Sequence, residues 1–131
     1  MDAQLVETKF KPPVNAAVWF EIPVSDLARA KEFYARVLMT SFTDQNAGPN
    51  PMAIFARAGE NGVSGHLYPG HPATDGTGPT IHLPVPDSVE EGLERVREAG
   101  GKVLSPIIDI PSGRFAYCLD LDGNSIGIFS N

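Results

Sequence analysis

The chain has 131 residues, 42% of them hydrophobic, with 10 Lys+Arg against 16 Asp+Glu and a single cysteine. One domain of that size buries a sizeable core, and the formal charge of −6 argues against a phosphate-tracking surface, which needs clustered Lys and Arg. A lone Cys118 excludes an internal disulfide and a zinc knuckle of Cys pairs, and no apolar run approaches the roughly 20 residues of a membrane span. The polar start, MDAQLVETKFKPP, lacks the apolar core of a signal peptide, so a cytoplasmic protein is expected.

Residues 1–14 read as an arm closed by Pro12 and Pro13, which neither continue a helix nor donate to a ladder. Residues 16–24, AAVWFEIPV, are rich in strand formers. Ser25 or Asp26 then suits an N-cap. Leu27, Ala30, Phe33, Tyr34, Val37 and Leu38 recur at spacings of three and four and predict an amphipathic helix. A turn-rich loop over 44–51 leads to two strands, 52–57 and 63–68, joined by the hairpin turn 59–62. The segment 69–79, PGHPATDGTGP, is the predicted linker. Beyond it the order restarts. A strand at 80–85 is followed by a cap at Asp87 or Ser88, a helical stripe of Val89, Leu93, Val96 and Ala99, and a stop at Gly100-Gly101. Strands at 102–110, 114–121 and 125–129 finish the chain, the last two joined by Asp122-Gly123.

IPVSD at 22–26 returns as LPVPD at 83–87, so Val24 and Val85 stand 61 residues apart. The same shift superposes the two helices, and each half reads strand–helix–strand–strand–strand, the mark of an internal duplication. The expected organisation is one domain over 15–131, with module one at about 15–69 and module two at about 79–131.

The stretch EIPVSDLARAKEFY (21–34) and the segment DLDGNSIGI (120–128) resemble the first strand and helix, and the last hairpin, of the vicinal oxygen chelate superfamily. That group holds glyoxalase I, extradiol dioxygenases and bleomycin-resistance proteins, and the resemblance spans about residues 15–130. It implies an α+β fold of two βαβββ modules whose curved mixed sheets form a cleft. Catalytic relatives hold a divalent metal there with His, Glu or Gln from the first and last strand of each module. The metal chelates two adjacent substrate oxygens and stabilises the charge that develops on them. Carried onto this chain, those positions fall on Trp19, Thr80 and Gly127, with the fourth near Gly65 to within about one residue. Trp offers no metal-binding lone pair, Gly no side chain, and a lone Thr hydroxyl is a poor ligand. The resemblance thus implies a member without the usual metal ligands and without glyoxalase I activity, and no cofactor is expected. It also implies a homodimer, with the cleft built within one chain or between two.

Alternation along a strand puts Glu21 on the face of Trp19 and His82 on the face of Thr80. Glu21 and His82 are themselves duplicates, 61 residues apart, and a pseudo-twofold sets them opposite each other across the cleft. They are the catalytic candidates, as an acid–base pair; with His66 they form an alternative divalent-metal set. Plain readings stand beside these. Glu21 can pair with a scattered arginine, His82 and His66 can be half-buried polar side chains, and His71 is expected to be solvated in the linker. Trp19 offers a flat wall for stacking, to which Tyr117, Phe55, Tyr68 and Phe115 add where they face the cleft. Cys118 has no activating neighbour and is expected to be inert; Arg114 is either an anion clamp or a solvated turn charge. Three functions remain open. The first is metal-free binding of a small organic molecule in a cleft lined by Trp19, Glu21, Thr80, His82 and Tyr117. The second is a lyase, isomerase or dioxygenase-like enzyme using Glu21 and His82, by acid–base chemistry or with a divalent metal. The third is a protein-interaction domain. Nucleic-acid and membrane partners are not expected.

Overall fold

The computed structural model describes residues 10–46 and 48–131; the predicted arm lies outside it except for 10–14, which form neither helix nor strand. Module one runs β1 (Trp19–Val24), α1 (Leu27–Leu38), β2 (Phe42–Gln45), β3 (Met52–Phe55) and β4 (Ser64–Pro69). Module two runs β5 (Ile81–Pro84), α2 (Val89–Glu98), β6 (Lys102–Val103), β7 (Ile108–Ile110), β8 (Gly113–Leu119) and β9 (Ser125–Ser130). The sheet orders are β1-β4-β3-β2 and β5-β9-β8-β6, with β7 also paired to β8. In each sheet the first strand runs parallel to the last, β1 with β4 and β5 with β9, and the remaining pairs are antiparallel. This is the expected α+β architecture, with two local departures. The strand expected over 102–110 is broken into β6 and β7, because Pro106 has no N–H for the ladder and Ser105 Oγ takes the Tyr117 N–H at 2.9 Å instead. Asp44 and Gln45, read as loop, complete β2.

Capping chemistry fixes both helix starts. Asp26, not Ser25, caps α1, accepting from the Arg29 N–H at 3.1 Å. Ser88 caps α2 in a reciprocal capping box with Glu91. The apolar stripes of both helices fall on one face of the sheets. Phe33, Tyr34 and Val37 of α1 and Val89 and Val96 of α2 share a single core with Ile22, Val24, Leu67, Ile126 and Ile128. Each such side chain contributes about 1.5–3 kcal/mol by leaving water. Trp19, Glu21, His66 and His82 alternate with core residues along their strands and therefore stand on the opposite face, and Thr80 lies just ahead of β5.

A polar clasp joins the modules. The buried Tyr34 hydroxyl donates to Asp120 Oδ2 at 2.6 Å, and Asn124 Nδ2 donates both to Asp120 Oδ2 at 2.9 Å and to the Pro23 carbonyl at 2.8 Å. Asp120 Oδ1 takes the N–H groups of Asp122 and Asn124, both at 2.9 Å. Ser25 adds its N–H and hydroxyl to the Asp122 carboxylate. Across the helix pair, Arg95 donates to the Val37 carbonyl at 3.0 Å and grips Asp87 bidentately at 2.7 and 2.8 Å. That grip holds the Asp87 carboxyl down at about 2.

Burial, reinforced by Asp120, pushes the Tyr34 hydroxyl well above its ordinary range, and burial pushes the Cys118 thiol up to about 11. The unfolded chain releases the same protons at about 8.5 for Cys and about 10 for Tyr. Stability carried by these groups is therefore complete below the unfolded values and is lost as pH rises through them toward the folded ones. Urea midpoints are expected to fall as pH is raised from about 9 to about 11; a midpoint that holds or rises over that interval contradicts this assignment.

Candidate functional site

On the helix-free face of module one, β1 and β4 run side by side with Trp19 opposite Ser64 and Glu21 opposite His66. The Trp19 indole N–H donates to His66 Nδ1 at 2.9 Å, and His66 Nε2 meets Glu21 Oε1 at 3.1 Å. An indole N–H only donates, so Nδ1 must carry the lone pair and Nε2 the proton. Nδ1 is thereby committed to the indole, Nε2 faces the carboxylate, and the buried imidazole (6% exposed) is held in one tautomer between the two. Glu21 is far more open, its side chain 64% exposed. The Arg57 guanidinium lies over the Trp19 ring at 5.5 Å, and Tyr68 meets His66 edge-on at 5.8 Å.

Module two carries the duplicate of this arrangement with different chemistry. His82 lies opposite Gly127, and its ring fills the space that a Cβ at position 127 would take. The imidazole meets Phe115 edge-on at 4.8 Å and Tyr117 at 6.0 Å, and those two rings meet each other at 5.2 Å. Thr80 shares a hydroxyl hydrogen bond with Ser125.

The pairing register narrows one sequence assignment, the fourth family position expected near Gly65 to within about one residue. Glu21 opposite His66 and His82 opposite Gly127 are equivalent pairs, so the module-one counterpart of Gly127 is His66, not Gly65. Gly65 faces the other way, where a Cβ would strike the Phe20 carbonyl and ring. Three of the four family ligand positions therefore lack a metal ligand, rather than all four. The fourth, His66, has both nitrogens facing partners within the chain. The proposed Glu21–His66–His82 metal set does not form: among the described residues no three His, Cys, Asp or Glu side chains group to hold an ion. The residues present do not fit a divalent metal. No hydrogen bond or ion pair joins Glu21 to His82 among the described residues. Glu21 is partnered by His66, while His82 packs against aromatic rings of its own module.

The remaining candidates sort by face. Phe115 and Tyr117 join His82, but Phe55 lies in the core against Phe20 and Phe42. Arg114 is no free clamp, since it pairs with Glu90 at 3.0 Å and Asp109 at 3.2 Å. Cys118 is buried, and its raised thiol is unreactive near neutrality. His71 is exposed, as expected. The Trp19–His66 bond escaped sequence reasoning, although one signal pointed to it: His66 and Gly127 are separated by the same 61 residues as Glu21 and His82.

A family model described as the Glyoxalase/Bleomycin resistance protein/Dioxygenase superfamily matches residues 16–128. The chain belongs to that superfamily. Among solved structures it is similar to a glyoxalase/bleomycin resistance protein from Streptomyces sp. CB03234, at 27% identity and TM-score 0.60, covering 86% of this chain and 97% of that one. A glyoxylase/bleomycin resistance protein/dioxygenase domain from Frankia sp. EAN1pec superposes with TM-score 0.67 at 20% identity, covering 89% and 98% of the two chains. A hypothetical protein from S. aureus does so with TM-score 0.66 at 22% identity, covering 91% and 100%. No curated protein matches the chain. Superfamily membership accounts for the duplicated modules. No helix among the described residues is long and apolar enough to cross a membrane.

Proposed function

We propose that this chain is a metal-independent binder of small organic molecules, working on the helix-free face that carries Trp19, Glu21 and His66 in module one and Thr80, His82 and Tyr117 in module two. The observation that carries the proposal is the placing of His66, whose Nδ1 accepts from the Trp19 indole and whose Nε2 lies 3.1 Å from the Glu21 carboxylate, so that both nitrogens of the one remaining family ligand position face partners within the chain. Open aromatic surface supports it: Trp19 and Tyr117 are 39% and 37% exposed, on strands whose other residues are largely covered. Such rings give large contact area at low entropic cost. Separate partners for Glu21 and His82 weigh against the acid–base enzyme. The same exposed aromatics, with Val63, Leu104 and Ile110, support a homodimer, and the unpaired Cys118 suits a reducing, cytoplasmic setting.

Trp19 is the only tryptophan, so its fluorescence reports on this face alone. Titration with a panel of aromatic and alkyl compounds is expected to shift or quench it saturably. Silence across the whole panel removes the binding reading. Stoichiometric zinc, nickel, iron or manganese in untagged protein purified without chelator removes its metal-free clause.

A further inference from the structure

A cavity of about 160 Å³ lies at the seam between the modules, where β1 passes the linker and the start of β5. Ile22, Pro23, Ala73, Pro79 and Ile81 form apolar walls, and Glu21 lines it as the one carboxylate. A space of about 150 Å³ accommodates a benzene-sized molecule. We propose that this cavity binds a small primary amine with a benzene-sized apolar body, its ammonium group seated on Glu21; the inference rests on the small-molecule reading above and names the ligand class.

Polar groups other than Glu21 leave little to recognise. The Asn124 amide nitrogen is spent on Pro23 and Asp120, and the Ser125 hydroxyl is spent on Thr80. No buried side-chain polar atom among the described residues lacks a partner, so the walls ask for an apolar body. Glu21 differs: only its Oε1 lies against His66 Nε2, at 3.1 Å, and Oε2 has no hydrogen bond or ion pair among the described residues. A carboxylate with one oxygen open, at the mouth of an apolar cavity, suits a cationic donor. His71 adds an exposed imidazole to the rim. The formal charge of −6 draws cations toward the protein as a whole. The linker wall is braced, because the Gly76 N–H bonds the Gly123 carbonyl of the clasp hairpin at 2.8 Å. Less ordering is then required on binding.

Three ring compounds of one size decide the matter, titrated against the full chain and followed by backbone amide NMR shifts. Benzylamine is expected to shift residues around Ala73 and Ile81 and to bind about tenfold more tightly than benzyl alcohol, with benzoate weakest. Glu21→Gln, which keeps an oxygen for His66, is expected to bring amine and alcohol to near parity. Ala73→Leu fills the cavity and is expected to abolish binding at an unchanged urea midpoint. Benzoate or benzyl alcohol binding as tightly as the amine overturns the assignment while leaving small-molecule binding intact. So does undiminished amine binding by a folded Ala73→Leu chain. No shift with benzylamine while other compounds move Trp19 fluorescence overturns only this inference; silence from every compound removes both readings.

Discussion

Asp120→Ala is expected to remove about 3–5 kcal/mol of stability, read as a lower urea midpoint with an unchanged slope. The side chain is 5% exposed and accepts four hydrogen bonds, from the Tyr34 hydroxyl, the Asn124 amide and two backbone N–H groups. Truncation strands all four donors, and buried donors without acceptors cost more than the net worth of the bonds they lose. Tyr34→Phe removes a single donor and is expected to cost about 1–3 kcal/mol. In a double-mutant cycle the two substitutions should couple by more than about 1 kcal/mol, since they break one network. A cost below about 1 kcal/mol for Asp120→Ala, or strict additivity with Tyr34→Phe, would show that the modules are held by apolar packing instead.

The second large effect separates two glycines that the sequence alone treats alike. Gly65→Ala is expected to cost about 3 kcal/mol, because the new Cβ overlaps the Phe20 backbone carbonyl as well as its ring. A backbone atom in a parallel pair cannot step aside without opening the β1–β4 ladder. For Gly127→Ala the nearest atoms the new Cβ meets all belong to the His82 imidazole. That side chain is exposed and can rotate away, at about 1 kcal/mol for the lost contacts with Phe115 and Tyr117. Equal costs at the two sites would place both glycines on one face and restore the register read from sequence.

The fold was legible because the chain states it twice. Periodicity found both helices, and the recurrence of IPVSD as LPVPD exposed the modules. Trp19 and Glu21 were placed on a shared face correctly, since alternation along a short strand has no freedom to drift. The step from Trp19 to the fourth family position had to cross a loop and a hairpin, and there counting slipped by one, onto Gly65. A slip of one residue in a strand reverses the face, and the stated margin of about one residue is what kept His66 among the candidates. The Glu21–His82 pairing failed for a different reason. Equivalence under an internal repeat fixes like environments, not mutual proximity, and each side chain found a nearer partner in its own module. The clasp was read only as a hairpin, because Asp-Gly explains the turn without revealing that Asp120 and Asn124 point back across about 100 residues of chain.

Tyr34 and Arg95 occupy the same place in the two modules, 61 residues apart, yet one reaches Asp120 with a phenol and the other reaches a carbonyl with a guanidinium. The residues of module one that correspond to Asp120 and Asn124 are Gly59 and Val63, which supply neither carboxylate nor amide. The halves are thus alike in shape and unlike in what they offer. Two copies of the first half facing each other would bury a tyrosine hydroxyl with nothing to receive it. Each half accordingly tells its complement from its twin, and any exchange of halves between chains must still join a first to a second.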